Sequence, residues 1–175
     1  IAGLVVWGAK LSFTEIQFLG FGSISFPEWL GFVLSCLWIV GLANAINLID
    51  GLDGLASGIT LAGLLAVAVV GYLGGISGVT WLSTLLIGCL LGFLVFNLRI
   101  IGKQRAVFLG DHGSNFIGFV VAWIAIYCSQ NSIYEVAPIT AVWFVAIPLL
   151  DCIGLIISRT LRGVSWAAPG RDHIH

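Results

Sequence analysis

The chain has 175 residues, of which 59% are apolar and only 9% charged, with a formal net charge of −1 and a mean hydropathy of +1.11. Ordinary soluble domains carry about 25% charged residues, so a soluble domain, a disordered tail and a nucleic-acid binder are all excluded. A polytopic membrane protein is expected, in which the placement of charge says more than its sum.

At about 20 residues per crossing, the length accommodates five or six spans. Ile1–Ala9 reads as the tail of a span that starts further upstream. Lys10–Glu28, with Pro27, is a mixed polar and aromatic stretch too broken to cross a bilayer. Spans are expected over Trp29–Ile49 and Gly54–Leu73. A glycine-rich turn (Gly74, Gly75, Gly78) then reverses the chain into a span over Thr80–Leu98. After a polar loop, Arg99–Asp111, comes a short span, Gly113–Cys128, whose first turn begins within the loop or whose helix tilts little. The last span covers Pro138–Ser158 and leaves a polar tail. The fold class is all-α, a transmembrane bundle of about five full spans plus the tail of one more. An open sheet cannot satisfy its backbone in lipid, and a barrel would show alternating apolar residues. With no methionine and no basic leader, residues 1–175 are expected to form one integral-membrane domain that is an internal fragment of a longer protein.

Gly54–Gly58 and Gly88–Gly92 have the spacing that lets membrane helices approach closely. Cys36, Cys89, Cys128 and Cys152 lie in apolar runs without paired spacing, which indicates packed thiols and neither a zinc site nor a disulfide framework. Threading the spans gathers Arg99, Lys103, Arg105, Arg159, Arg162 and Arg171 on one side, six of the seven basic residues, and leaves only Lys10 opposite. The positive-inside rule makes the crowded side cytoplasmic, and Asp50, Asp53, Asp111 and all three histidines share it.

Three clusters on that side could carry chemistry. In Asn44-Ala-Ile-Asn47-Leu-Ile-Asp50-Gly-Leu-Asp53-Gly54, amides and carboxylates recur at intervals of three at the end of an apolar span. Polar groups there are costly unless they bind something, and hard oxygen donors suit Mg²⁺ or Mn²⁺ together with substrate phosphates. A helix-capping turn with solvated carboxylates is the plainer reading. The second cluster, Lys103-Gln-Arg105-Ala-Val-Phe108-Leu-Gly110-Asp111-His112-Gly113-Ser114, leads into a helix start whose backbone N–H groups could hold a phosphate. Asp111 could bring a metal to it or act simply as an N-cap. His112 reads as a loop residue. The third cluster, Pro169-Gly-Arg171-Asp172-His173-Ile-His175, could contact a diphosphate or be a solvated loop. Asn97 and Asp151 are intramembrane polar residues; for Asp151, a partner such as Arg159 or Arg162 competes with a functional role.

The runs NAINLIDGLDGLASG, VFLGDHGSNFIGF and GRDHIH, in this order, resemble the polyprenyl-phosphate N-acetylhexosamine-1-phosphate transferases. The likeness is strongest to bacterial members acting on undecaprenyl phosphate and N-acetylglucosamine, because the last run reads as the start of their HIHH-type motif. The resemblance implies a bacterial inner-membrane enzyme with its site facing the cytoplasm. Such an enzyme moves a sugar 1-phosphate from a UDP-sugar to a polyprenyl phosphate at the start of a cell-surface glycan pathway and releases UMP, with Mg²⁺ or Mn²⁺. It further implies that Asp111 and Asn47 hold the metal and diphosphate, and that Asp50 and Asp53 line the nucleotide site. Phe108 would stack on uracil with Asn97 nearby, and His173 and His175 would contact the sugar-phosphate side. Lys103, Arg105 and Arg171 would add cationic stabilisation. A homodimer is left open. The family's DD-x-x-D motif has no counterpart before Asn44, where there is no aspartate, so this fragment alone is expected to be inactive. A membrane permease for a small anion is the rival class; it predicts polar groups near the midplane and at both faces.

Overall fold

The computed structural model describes residues 1–18, 22–102, 107–130 and 145–163. In chain order these form α1 (Ala2–Ala9), β1 (Glu15–Phe18), β2 (Gly22–Ser25), α2 (Glu28–Leu48), α3 (Leu55–Leu73), α4 (Ser77–Asn97), α5 (Gly110–Gln130) and α6 (Ala146–Leu161). Helices α2 to α5 are each long and apolar enough to cross a membrane, and the chain is a multi-pass membrane protein. Residues 138–144 of the expected last span lie outside the described residues; α6 covers the rest from Ala146 and runs beyond Ser158 to Leu161.

Besides the end of α6, three boundaries differ by more than one residue from those read in the sequence. Helix α4 starts at Ser77, because Gly78 is carried inside the helix and the reversal is confined to Gly74–Ile76. Helix α5 starts at Gly110 and runs on to Gln130, so its first turn does begin within the polar loop. Its most apolar 18 residues average a hydropathy of 1.2, the lowest of the four helices, and its first turns carry Asp111, His112 and Asn115.

The broken stretch before α2 contains an antiparallel hairpin that the apolar pattern did not reveal, with Ile16 opposite Ile24. Gln130 at the far end of α5 holds it, its Oε1 accepting from Thr14 N at 2.7 Å and Thr14 Oγ1 at 2.8 Å while its Nε2 donates to Glu15 O at 3.1 Å. From α2, Ser35 Oγ accepts from Phe13 N at 2.8 Å.

The bundle is organised as pairs. Helix α2 packs chiefly on α5, α3 on α4, and both α1 and α6 lie against α2. Between helices in lipid, small residues and a few cross-helix hydrogen bonds do much of the holding. The pair α2–α5 uses both. A Cβ placed on Gly118 would lie 2.6 Å from Ala43 Cα and 3.2 Å from Leu42 O, so the two backbones touch there. One turn further along α5, Trp38 Nε1 donates to Ala122 O at 3.2 Å. The expected small-residue pairs serve differently: among the described residues, nothing lies within 4 Å of a Cβ at Gly58, Gly88 or Gly92.

Helix α4 ends in a Schellman turn, with Arg99 N bonded to Phe96 O and Ile100 N to Val95 O, both at 3.1 Å. Its left-handed residue is Arg99, φ 60°, where glycine is usual and another L-residue costs about 1–2 kcal/mol. Lys10 (φ 51°) closes α1 in the left-handed region too. Against the end of α4 sits Gly54, φ 80°, where a Cβ would fall 2.6 Å from Leu98 Cδ2. The α2–α3 turn is thereby pressed onto the α4 terminus.

Gly118→Ala is expected to force α2 and α5 apart and to lower stability by about 1–3 kcal/mol, the usual scale of overpacking. A lower unfolding midpoint in detergent would register this; an unchanged midpoint would show that the contact yields freely.

Candidate active site

Three pieces of chain meet at one end of the bundle: the last turn of α2 with the turn into α3, the end of α4, and the start of α5. Each is fixed locally. The Asn97 side chain at the close of α4 donates from Nδ2 to Val107 O at 2.9 Å, which fastens the returning loop to the helix it left. Asn115 Nδ2 donates to Asp111 O at 2.7 Å and Ser114 Oγ to Gly110 O at 2.9 Å, bracing the first turn of α5.

Asn47 joins α2 to α5. Its Nδ2 donates to Ser114 Oγ at 2.8 Å and to Asp111 Oδ1 at 3.2 Å. Ser114 is fully buried, so this link sits beneath the surface and carries the Asp111 carboxylate above it. With Nδ2 so engaged, the Asn47 amide has its oxygen to offer a ligand.

A cleft of about 180 Å³ opens between these pieces, and Asn47, Asp50, Asp53, Asn97, Phe108 and Asp111 all line it. The sequence had placed these six residues in separate segments; the fold brings them to one cavity. Phe108 is 70% exposed, so its ring is open to a ligand as an aromatic face. Asn97 is only 5% exposed, and among the described residues its Oδ1 has no hydrogen-bond partner. A buried acceptor without a partner is uncommon, and this one lies in a cleft wall.

The cleft is acidic. The Asp50 carboxyl is held above its ordinary value of 3.8, first by its removal from water and then by the negative charges of Asp111 and Asp53. Asp53 has a counter-ion in Arg99, whose Nη2 donates to Asp53 Oδ2 at 3.0 Å.

The chemistry of these donors fits a hard divalent cation. One carboxylate and one amide oxygen, with Asp50 close enough to feel the Asp111 charge, match ions that take one or two carboxylates and complete their shell with water and phosphate. Among the described residues no three His, Cys, Asp or Glu side chains form a metal cage, which sets this arrangement apart from a closed structural site.

The family model for glycosyl transferase family 4 matches residues 1–129. The chain belongs to this family. It is 34% identical over 145 residues, 83% of its length, to the undecaprenyl-phosphate alpha-N-acetylglucosaminyl 1-phosphate transferase of Escherichia coli strain K12. It is 35% identical over 173 residues, 98% of its length, to the probable undecaprenyl-phosphate N-acetylglucosaminyl 1-phosphate transferase of Bacillus subtilis strain 168. The matches cover 40% and 46% of those two relatives, so the chain spans less than half their length.

Of the other residues singled out in the sequence, Lys103, Arg105, Arg171, His173 and His175 lie outside the described residues. His112 stands exposed in the first turn of α5, and Asp151 is buried in α6, on the same helix face as buried Arg159. Two contributors carried no role in the sequence reading. Ser114 is three residues beyond Asp111, the spacing that puts two helical side chains on one face. Arg99 is the first charge after a long apolar run, a place where a base is expected merely as a membrane-interface anchor.

The Asp50 shift gives a pH signature. Because its folded value is raised, its contribution to stability is intact below about 3.8 and is lost as pH rises through the folded value. Asp50→Asn is therefore expected to raise the unfolding midpoint of the ligand-free protein at neutral pH, with the gain vanishing towards pH 3.8. Equal gains at both pH values would mean that charge crowding is not the cause.

Proposed function

We propose that this chain forms the nucleotide-sugar site of an enzyme that transfers N-acetylglucosamine 1-phosphate from a UDP-sugar to undecaprenyl phosphate and releases UMP. The observation that carries the proposal is the convergence of Asn47, Asp50, Asp53, Asn97, Phe108 and Asp111 on one cleft. It is supported by the activity named for the Escherichia coli and Bacillus subtilis relatives.

In the reaction an oxygen of the lipid phosphate attacks the β-phosphorus of the donor. A new P–O bond forms while the bond to the bridging oxygen breaks, and UMP leaves with that oxygen and its electron pair. Such transfers depend on positioning and on neutralising charge more than on covalent help. Asp111 and the Asn47 oxygen would hold Mg²⁺ or Mn²⁺, which supplies neutralisation of the diphosphate oxygens. The free backbone N–H groups in the first turn of α5 face the same anion with the positive end of the helix. Phe108 offers a stacking face to the uracil, and the unpartnered Asn97 Oδ1 offers an acceptor to a base N–H. Lys103, Arg105 and Arg171 are assigned to the phosphates by their charge, and His173 and His175 to the sugar-phosphate side by the resemblance of GRDHIH to the family's histidine motif.

Arg99 closes α4 at the site end of the bundle, Lys10 ends α1 near the hairpin on the opposite side, and threading the spans puts Arg159 and Arg162 on the Arg99 side. By the positive-inside rule the cleft faces the cytoplasm, in a bacterial plasma membrane, where a nucleotide donor is available and the lipid phosphate is reached from the bilayer. The gathering of site residues at one end favours an enzyme over a permease, whose substrate must meet polar groups all the way across.

In the full-length protein, Asp111→Asn is expected to lower UMP release from UDP-N-acetylglucosamine and undecaprenyl phosphate by about 100-fold or more, the scale of losing one transition-state stabiliser. Chelation should abolish the same release, and Mg²⁺ or Mn²⁺ should restore it. Near-normal turnover of the variant would remove Asp111 from the metal site.

A further inference from the structure

Each carboxylate of the cleft has to be held, and the structure shows how two of them are. Asp111 takes the Asn47 amide; Asp53 takes a guanidinium from a third element, Arg99 at the end of α4. The choice of arginine at that position is odd on stability grounds. Its backbone is left-handed, φ 60°, in a turn that glycine would close without strain. Its ion pair is open to water, with the two side chains 46% and 36% exposed, and exposed pairs of this kind add little stability. Neither the turn nor the pair therefore accounts for the residue. What the arginine does is bond one oxygen of Asp53 and stand as a positive charge beside a cleft that also holds Asp50 and Asp111.

Resting on the transferase reading above, we infer that Arg99 is a positioning residue for donor binding. It does not line the cleft and acts through Asp53, holding that carboxylate as an oriented acceptor and lowering the repulsion met by an incoming diphosphate. The effect belongs to the bound state of the donor and is the same before and during transfer, which places it in KM and not in kcat.

Kinetics and unfolding of full-length variants test this together. Arg99→Gly is expected to raise KM for UDP-N-acetylglucosamine about tenfold, the worth of one hydrogen bond to a charged group. Its kcat should stay within about twofold, and its unfolding midpoint should be unchanged or higher, since the strained turn is relieved. Arg99→Lys, which can reach Asp53 Oδ2 with one donor, should return KM to within about threefold of wild type. If the two residues act as one unit, adding Arg99→Gly to Asp53→Asn should raise KM no further. A wild-type KM in Arg99→Gly overturns the inference and leaves the transferase reading standing. So does a lowered midpoint with KM and kcat lost together, the mark of a structural role. A wild-type protein that releases no UMP from UDP-N-acetylglucosamine overturns the transferase reading, and the inference falls with it.

Discussion

The site rests on one amide. Asn47 Nδ2, bonded at once to Ser114 Oγ and to Asp111 Oδ1, is the point at which α2 and α5 stop being neighbouring spans and become one structure. That bond needs the two backbones in contact, and the contact at Gly118 against Ala43 provides it one turn deeper. Lipid offers no hydrophobic drive between helices, so the approach is set by shape: a missing side chain on α5, a small one on α2, and the Trp38 indole bonded to the Ala122 carbonyl. The end of α5 away from the site is held as well, by Gln130 gripping the hairpin. Tilting α5 would therefore break contacts at both of its ends, and the position of Asp111 follows from the packing of the whole helix.

Electrostatically, the cleft is arranged against its own stability. Asp50 sits where both burial and the charges of Asp111 and Asp53 disfavour its ionised form, and Asn97 keeps a buried oxygen without a partner among the described residues. An unsatisfied buried acceptor costs about 1–3 kcal/mol. Both penalties are of the kind a ligand removes: a cation for the carboxylates, an N–H donor for the amide. The ion pair of Arg99 with Asp53 is located at this same cleft.

Much of this was legible in the sequence. Continuous apolar runs of bilayer length gave the helices, and the spacing Asn47, Asp50, Asp53 with the Gly110-Asp111 helix start gave the residues that converge. The convergence itself was available only as an inference from span counting, because placing two loops on one face says nothing of whether they touch. What stayed hidden has a physical reason in each case. The hairpin at Glu15–Ser25 is held by long-range bonds to Gln130 and by Ser35 bonding to Phe13, and such partners leave no local pattern. The apolar run alone starts at Gly113, because Asp111 and His112 look like loop residues when only hydropathy is weighed; of the two readings open in the sequence, a first turn within the loop is the one the fold adopts. The sequence points to glycines at regular spacing, yet among the described residues nothing lies against Gly88 or Gly92, and the isolated Gly118 makes the contact. Spacing can show which residues share a face; only packing decides whether another helix lies against it.

Placing the cleft at helix ends resolves a conflict particular to membranes. A site for a charged nucleotide needs carboxylates and open backbone N–H groups, and both are ruinous in hydrocarbon. A loop long enough to carry them into water would lose the rigidity that phosphoryl transfer demands. Here the polar groups lie within a turn or two of helices that packing has already fixed. The short turn Ile49–Gly54 is pinned by Gly54 against Leu98, and the returning loop is tied at Val107 by Asn97. The carboxylates thus stand where water begins, while their positions are determined by contacts made where it is absent. Under the proposed function, a phosphate carried on a hydrocarbon tail would meet a water-borne diphosphate at this boundary without either leaving its own solvent.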